Sequence, residues 1–486
     1  MTSSPVRPGP VYLTVLVIAT CGLVYELVAG ALASYLLGDT VTQFSLVIGI
    51  YLTAMGAGAW LSKFIERGVA RRFVEIEIAV AFLGGFSAPI LSFAFLSPRW
   101  FHPVFYGLVF GVGTLVGVEI PLMLRLLRRS VAFKDLVAQV LTFDYLGALA
   151  ASLLFPLVFV PNLGLFRTSL LFGLLNVVVA FTSIRLFREE IGAPGGLVAK
   201  AAVVAALLLG GFAGADRPSE VAEEQQYADE VLFAKSSPYQ RVVLTRNKAG
   251  FQLFLNGHLQ FSSVDEYRYH EALVHPAFAF VPGARRVAVF GGGDGLAVRE
   301  VLRHPSVESV TVVDLDPMVT RLARENPLFV ALNGGSLLSP KVTVVNDDAM
   351  PWLEKGTDLF DLAFVDFPDP NGFAVGKLYT KRFYGLLKRR LAPEGAFAVQ
   401  STSPLFARKS FWIIDRTIGA AGFETRPYHA TVPSFGEWGF VLASRRPFDV
   451  PGRLIPGLRF LSDETLPALF SFGPDMARLE VPVNRL

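Results

Sequence analysis

Cysteine and charged residues are both scarce in this 486-residue chain, and each scarcity excludes a class of protein. Cys21 is the sole cysteine, so the chain cannot form an intrachain disulfide or a thiolate metal site. Only 17% of the residues are charged and 52% are hydrophobic, which is too apolar for an ordinary soluble protein. The formal net charge of +3 gives no strongly basic face, so we expect no nucleic-acid partner.

The apolar residues are concentrated before residue 216, in runs long enough to cross a bilayer. The first run follows a single basic residue, Arg7, and is as long as a full span, so we interpret it as a retained helix. The pattern predicts an N-terminal all-α transmembrane bundle of about seven helices in a multi-pass cell-membrane protein, with the lipid bilayer as a partner. The predicted helices lie at about 11–37, 41–62, 73–96, 103–124, 137–160, 165–187 and 196–215.

The connections that contain Arg and Lys alternate with connections nearly free of them. Basic residues lie at 63–72, 125–134 and 185–188, and the positive-inside tendency places these connections and the N-terminus in the cytoplasm. Seven crossings would then put the chain after Asp216 outside. The last run contains Lys200 and is the weakest of the seven, so it could be re-entrant or interfacial, which would leave the chain after Asp216 in the cytoplasm.

After the membrane domain at 1–216, the composition changes to a charged linker and then to short strands. Alternating residues at 240–245 and 251–255 flank turn residues and predict a small β-hairpin module within 217–262. From 263 to 486, helix-like and strand-like runs alternate, which indicates a mostly parallel, doubly wound sheet. We predict a C-terminal α/β Rossmann-like domain of the class I adenosyl-binding type.

A glycine-rich loop follows the first strand of this domain, at 291–295, with the sequence GGGDG. Gly291 and Gly293 allow a tight turn and close approach to a ligand, and Asp314 ends the next strand at the spacing of a ribose-binding carboxylate. The loop lacks the G-x-G-x-x-G order that suits a pyrophosphate, and Asp294 would repel phosphate but attract a cation. A positively charged adenosyl sulfonium is therefore a better ligand than NAD.

Two later strands also end in carboxylates. Asp347 and Asp348 follow the third strand, where they could bind the nucleoside with Ala349 or could cap the next helix. Asp366 and Asp369 follow the fourth strand, at the edge where ligands bind in open α/β sheets. An amine is protonated near neutral pH and must lose a proton before it attacks carbon, so Asp366 is a candidate base and Asp369 a second negative charge.

Several motifs occur in the order and spacing of the spermidine synthase family, over roughly 230–445. They are SPYQ at 237–240, LNGHLQ at 255–260, DEYRYHE at 265–271, the glycine loop at 291–295 and DFPDP at 366–370. The chain resembles this family of polyamine aminopropyltransferases. The resemblance implies transfer of an aminopropyl group from decarboxylated S-adenosylmethionine, a cosubstrate, to a polyamine with release of methylthioadenosine, and it implies no cofactor, no metal and a homodimer or larger assembly. Adenosyl cosubstrates are not normally supplied outside the cell, so we expect the last apolar run to be re-entrant or interfacial and the catalytic domain to be cytoplasmic.

The resemblance also implies roles for individual residues. Asp366 would be the catalytic proton acceptor, and Asp294 would hold the aminopropyl nitrogen of the donor with it. Tyr269, Asp369 and Gln400 would lie on the acceptor side. The donor-binding set would comprise Gln240, His270, Gly291, Gly293, Asp294, Asp314, Asp347, Asp348 and Ala349.

The acceptor and the role of the membrane half remain open in the sequence. Putrescine is the first choice of acceptor, but the segment at 432–440 lacks a tyrosine common in soluble members and is closer to the thermospermine synthase version. An adenosyl-dependent methyltransferase and a polyamine transporter or sensor are alternatives. Mid-span acids Glu26, Glu119 and Asp144 could form a cation path or could bond to adjoining tyrosines, whereas Glu75 and Glu77 lie nearer a helix start.

Overall fold

The computed structural model describes residues 8–37, 40–95, 97–128, 133–215, 227–370, 372–449 and 453–485. The chain divides into two compact units, Met1–Ala228 and Asp229–Leu486. In their described parts, the first unit is helical and the second combines helices with two β-sheets.

Helices occupy all seven apolar runs of the first unit. Five helical stretches are long and apolar enough to cross a membrane, or six if the bent pair Val69–Gly85 and Ser87–Phe95 is one span. A π-helical turn at Phe155–Phe159 separates the helix Phe133–Leu154 from the helix Val160–Leu186. The helices are α1 (Pro8–Leu37), α2 (Thr40–Leu61), α3 (Val69–Gly85), α4 (Ser87–Phe95), α5 (Pro98–Leu127), α6 (Phe133–Leu154), α7 (Val160–Leu186), α8 (Arg188–Ile191) and α9 (Gly195–Ala213).

One of those stretches, Lys134–Leu186, reverses direction within its 53 residues. The rings of Phe159 and Phe172 are 5.0 Å apart, whereas 13 residues of a continuous helix would separate them by about 20 Å. The break lies at Gly164, whose φ of 71° and ψ of 175° are not helical. The stretch therefore forms two antiparallel passes.

Long helices that succeed one another along the chain, with α3 and α4 taken as one, run in alternating directions. Tyr51 of α2 donates a hydrogen bond to the carbonyl of Gly22 in α1 at 2.8 Å, and Gly30 packs on Phe44, which is an antiparallel register. The last pass, α9, is a continuous helix of 19 residues without the reversal that a re-entrant segment needs, so the re-entrant interpretation is not supported. Because these helices alternate in direction, α1 begins and α9 ends at opposite ends of the bundle.

Small residues allow α2 and α5 to pack backbone against backbone. A Cβ at Gly58 would lie 2.0 Å from the carbonyl oxygen of Thr114, and one at Gly117 would lie 2.2 Å from that of Met55. Such close approach between helices is typical of apolar surroundings, where packing rather than the hydrophobic effect holds helices together.

The second unit begins with a four-stranded antiparallel sheet. The small β module therefore contains one further strand on each side of the two expected at 240–245 and 251–255. Its remaining strands form a seven-stranded sheet in the order β10-β11-β9-β8-β5-β6-β7. The strands are β1 (Glu230–Ser236), β2 (Arg241–Arg246), β3 (Phe251–Leu255), β4 (His258–Ser262), β5 (Arg286–Gly291), β6 (Ser309–Asp314), β7 (Val342–Asn346), β8 (Phe360–Asp366), β9 (Leu391–Gln400), β10 (Glu424–Val432) and β11 (Gly436–Ser444).

Helices cover both faces of the larger sheet and complete the predicted Rossmann-like architecture. Short 3₁₀ turns lie at Ser336–Leu338, Lys377–Tyr379 and Leu466–Phe470. The helices are α10 (Glu266–Phe280), α11 (Leu296–Leu302), α12 (Pro317–Glu325), α13 (Pro327–Asn333), α14 (Ala349–Lys355), α15 (Phe373–Gly376), α16 (Lys381–Arg390) and α17 (Arg408–Ala420).

Strands β5 to β9 are parallel, and their register decides which residues meet at the edge of the sheet. Asp366 at the end of β8 lies beside Gly291 of β5, and Asp314 of β6 lies beside Asn346 of β7. Buried Val, Ala and Phe side chains fill both faces of these strands, as expected for a parallel sheet covered by helices.

Candidate active site

The glycine loop joins β5 to α11 at the carboxyl edge of the parallel strands. Gly291 has a φ of 79°, and a Cβ there would lie 2.2 Å from the carbonyl oxygen of Asp366, so a side chain is sterically excluded. A Cβ at Gly293 would lie 2.5 Å from Oδ2 of Asp314. These glycines thus allow the loop to approach the backbone of Asp366 and the carboxylate of Asp314.

Backbone N–H groups hold the Asp314 carboxylate in place. Gly293 donates to its Oδ2 at 3.0 Å, and Asp316 donates to its Oδ1 at 2.9 Å. Burial raises the pKa of Asp314 to about 6, although these two N–H groups act in the opposite direction. A carboxylate fixed between two loops at this edge can accept hydrogen bonds from vicinal hydroxyl groups.

Asp366 is hydrogen-bonded to a tyrosine hydroxyl from α10. Tyr269 donates to its Oδ1 at 2.5 Å. Burial, with a smaller effect from the negative charge of Asp294, raises the pKa of Asp366, while His270 and the Tyr269 hydroxyl lower it, and the net pKa is about 6. Burial also raises the pKa of Asp294, whose Oδ1 accepts from the N–H of Leu296 at the start of α11 at 2.9 Å.

A buried ion network holds His270 beside these two acids. Its Nδ1 lies 2.9 Å from Oε2 of Glu266, and Arg299 donates to both oxygens of the same carboxylate. Burial lowers the pKa of His270, but the hydrogen bond and charge of Glu266, with the charges of Asp294 and Asp366, raise it to about 8. The imidazole is therefore mainly protonated at neutral pH and offsets part of the negative charge.

Gln240 reaches the edge from the small sheet. Its Nε2 donates to Oδ2 of Asp316 at 3.0 Å, and Ser237 donates to the same oxygen at 2.7 Å. Asp316 is buried and also accepts from the N–H of Met318 at the start of α12. This aspartate ties the small sheet to the loop after β6, which places Gln240 near Asp314.

The acidic loop after β7 has other partners in this structure. Oδ1 of Asp348 accepts from the N–H of Met350 at 3.0 Å and caps α14, which begins at the buried Ala349. Its other oxygen forms an ion pair with Lys377. Asp347 is exposed, and its Oδ1 accepts from the N–H of Asp348. Asp348 therefore caps α14 in this structure, as one of the two interpretations of the sequence predicted. A nucleoside bound here would have to share or displace these contacts.

Gln400 and Asp369, two of the three residues expected on the acceptor side, differ in whether a polar side-chain atom is left without a hydrogen bond. Gln400 is saturated, since it donates to the carbonyl of Phe367 and to the Tyr379 hydroxyl and accepts from the N–H of Thr402. Asp369 accepts from the Thr402 hydroxyl at 3.1 Å through one oxygen, and its other oxygen is buried without a partner. Gln400 is thus placed to shape the loop, whereas Asp369 retains a free acceptor.

Sequence reasoning missed the residues that support this site. Glu266 stands within the quoted DEYRYHE motif without a role, and Arg299, Asp316, Lys377 and Tyr379 belong to no motif. An acid four residues before His270 was a usable signal, because residues i and i+4 face each other on a helix. Among the described residues, no group of three or more His, Cys, Asp or Glu could hold a metal ion.

Comparisons with known proteins show to which family the chain belongs. Residues 266–449 match the family model described as the spermine/spermidine synthase domain. The chain is 51% identical over 475 residues, covering 98% of this chain and 95% of the relative, to a polyamine aminopropyltransferase of Leptospira interrogans serogroup Icterohaemorrhagiae serovar copenhageni. It is 53% identical over 483 residues, with 98% and 95% covered, to polyamine aminopropyltransferase 2 of Ralstonia nicotianae.

Among solved structures, a spermidine synthase in complex with the transition-state analogue AdoDATO is 27% identical. The match covers 50% of this chain and 86% of that one, with a TM-score of 0.47.

Proposed function

This chain belongs to the polyamine aminopropyltransferase family, and from that premise we propose that it transfers an aminopropyl group from decarboxylated S-adenosylmethionine to a polyamine. One observation carries the proposal. Asp366, hydrogen-bonded to Tyr269, stands at the carboxyl edge of the sheet beside the glycine loop, which contains the second acid, Asp294. Two acids there suit a cationic donor and a cationic acceptor better than any phosphate.

The donor would lie along the loops after β5, β6 and β7. Asp314 would accept from the ribose hydroxyls, and Asp348 with Ala349 would meet the adenine after Lys377 moves. Gln240 and His270 would line the donor, and Asp294 would hold its aminopropyl ammonium. Ordinary S-adenosylmethionine carries a carboxylate, which Asp294 would repel, so this acid favours the decarboxylated form.

Catalysis would be an in-line displacement at the methylene next to the sulfonium. The lone pair of the acceptor nitrogen forms the new C–N bond, the C–S bond breaks, and its electron pair stays on sulfur as neutral methylthioadenosine leaves. Asp366 accepts the proton that the nitrogen loses, while the edge supplies orientation. The Tyr269 hydrogen bond keeps the base ionised and aligned.

Putrescine, converted to spermidine, is the acceptor we propose. The free buried oxygen of Asp369 supports a second ammonium site beyond Asp366. Trp438 adds an aromatic wall, packed 5.1 Å from the ring of Phe435. A spermidine acceptor with a thermospermine-type product is the alternative that the segment at 432–440 favours.

Product analysis tests both the reaction and the acceptor. Purified full-length protein is given the decarboxylated donor with an equimolar mixture of putrescine and spermidine, and the products are identified by mass spectrometry. We expect methylthioadenosine and newly formed spermidine, measured as the gain over the amount supplied, in equal amounts. In a parallel reaction with ordinary S-adenosylmethionine as donor, adenosylhomocysteine would instead indicate methyl transfer, and thermospermine in the first reaction would reassign the acceptor.

We further propose that the helical unit spans the cell membrane in seven passes and that the protein is a homodimer or larger. The catalytic unit is assigned to the cytoplasm because its donor is supplied there. This orientation places the basic connections at 63–72, 125–134 and 185–188 outside, against the usual charge bias. Labelling of a cysteine introduced at 217–226 with a membrane-impermeant reagent in intact cells would contradict the assignment.

A further inference from the structure

Two glutamates of the helical unit are buried without any partner. Glu77 of α3 is 0% exposed and Glu119 of α5 is 1% exposed. All four of their carboxylate oxygens lack a hydrogen-bond partner in the described structure. Glu75, only two residues before Glu77, shows the contrast, since it forms ion pairs with Arg71 and Arg72 at the surface.

The two acids lie close together. Val74 and Ile78, which flank Glu77, belong to the same buried cluster as Val118 and Leu122 of α5. Glu119 is near enough to interact electrostatically with the charge of Glu77. The pair therefore sits at one place in the interior of the bundle, between α3 and α5.

Two further polar side chains without partners meet at this place. The Tyr25 hydroxyl from α1 is buried, lacks a hydrogen bond and lies within electrostatic range of both acids. Asn176 of α7 is 1% exposed, and neither its amide nitrogen nor its amide oxygen has a partner. Gly173 of α7 packs on Ala81 of α3, and these two helices are antiparallel. Asn176 lies about one turn from Gly173 and Glu77 about one turn from Ala81, both towards the same end of the bundle.

Two adjacent carboxylates in an apolar interior cannot both remain charged at low cost. We propose that Glu77 and Glu119 form a proton-binding site of the bundle, in which Tyr25 and Asn176, which make no hydrogen bond in this structure, turn to bond the protonated acid. The site gives the helical unit a chemistry separate from aminopropyl transfer. Protonation of either acid turns an acceptor into a donor, which these neighbours can receive.

The surroundings favour a proton over a larger cation. The titratable groups that face the pair are Cys21 and Tyr25 of α1 and Tyr51 of α2, and Glu26 of α1 lies near Tyr51. None of these is basic, so no side chain among them neutralises the pair. A small cavity beside Glu119 contains no other polar lining and offers a polyamine no second acceptor. Its apolar lining is Val15, Ile18, Ile120, Met123 and Val140.

Modification by dicyclohexylcarbodiimide, an apolar reagent that attacks protonated carboxyl groups, tests the site in full-length protein in lipid nanodiscs. Peptide mass spectrometry across a pH series should find an adduct at Glu77 or Glu119 that declines to background as pH rises. Glu77→Gln and Glu119→Gln should each reduce total labelling with turnover unchanged. The matched control Glu75→Gln should alter neither.

Infrared spectroscopy of the same sample keeps the test independent of reagent access. A protonated-carboxyl band should lose intensity as pH rises and should be weaker in Glu119→Gln protein, in which Glu77 is the acid of the pair that is left. The proposal fails if this band and the adduct are both absent, or if neither changes with pH. It also fails if sodium or spermidine abolishes them at constant pH, since the occupant would then be that cation.

Discussion

The acids at the sheet edge and the acids inside the bundle are both removed from water, but their neighbours differ. Asp314 receives two backbone N–H groups and Asp366 receives a tyrosine hydroxyl. Glu77 and Glu119 receive none. Donors around a buried carboxylate stabilise its charged form, so the edge can hold anions ready for cationic substrates, whereas the bundle has to neutralise its acids by protonation.

Replacing one acid in each region with its amide should give the largest difference in kcat. Asp366→Asn should lower kcat by about 100- to 10,000-fold, the usual contribution of a general base, while methylthioadenosine binding stays near its original affinity. Glu119→Gln should leave kcat unchanged. Turnover assays and calorimetry measure both. Asp358→Asn, at a site 81% exposed near the start of the same strand, is the control, and undiminished turnover by Asp366→Asn would remove the base from the mechanism.

The acidity of Asp366 provides a second test. Because its pKa is raised to about 6, its carboxylate is protonated and lost as a base when pH falls through that value, so kcat/KM should decline below about pH 6. The Tyr269 hydroxyl stabilises the charged form, so Tyr269→Phe should move this acid limb to higher pH. A pH–rate profile measures the shift. An unmoved limb would assign the titration to another group.

Replacing a residue that supports the sheet edge from behind should have a smaller effect on activity. Asn484 donates to the carbonyls of Gly376 and Tyr379, and Tyr379 in turn bonds to the loop after Asp366. Loss of a typical hydrogen bond costs about 1 kcal/mol, so Asn484→Ala should lower kcat severalfold with little change in KM for the donor. Asn484→Asp should not keep kcat at the level of the unchanged protein, because an aspartate side chain cannot donate a hydrogen bond to these two carbonyls. Equal losses in kcat and donor affinity would contradict a positioning role.

The Lys377–Asp348 ion pair should give the smallest change. Its partly exposed groups contribute at most about 1 kcal/mol, so Lys377→Met should tighten methylthioadenosine binding by roughly two- to fivefold if Asp348 is needed for adenine. Calorimetry measures the affinity. Lys381→Met, at a neighbouring lysine without this contact, serves as the control, and weaker binding in Lys377→Met would assign the lysine itself to the donor site.

Most of the sheet edge was predictable because local sequence carries its signals. The glycine loop, Asp314 and Asp366 each follow a short apolar strand, and the carboxyl ends of parallel strands meet at one edge. The supporting residues were not predictable in the same way. Arg299 and Asp316 act through partners 33 and 79 residues away, and no local pattern records such contacts.

In the helical unit the sequence by itself determined where the helices lie, since the length and the mean hydropathy of each apolar run depend only on the residues in that run. Tertiary structure decided which acids are buried. Sequence position made Glu26 and Asp144 equal candidates to Glu119 and set Glu77 aside, yet Asp144 is half-buried and Glu77 is fully enclosed. The reason is rotational: which side of a nearly uniform apolar helix faces its neighbours depends on the packing of the other helices, not on the helix's own residues.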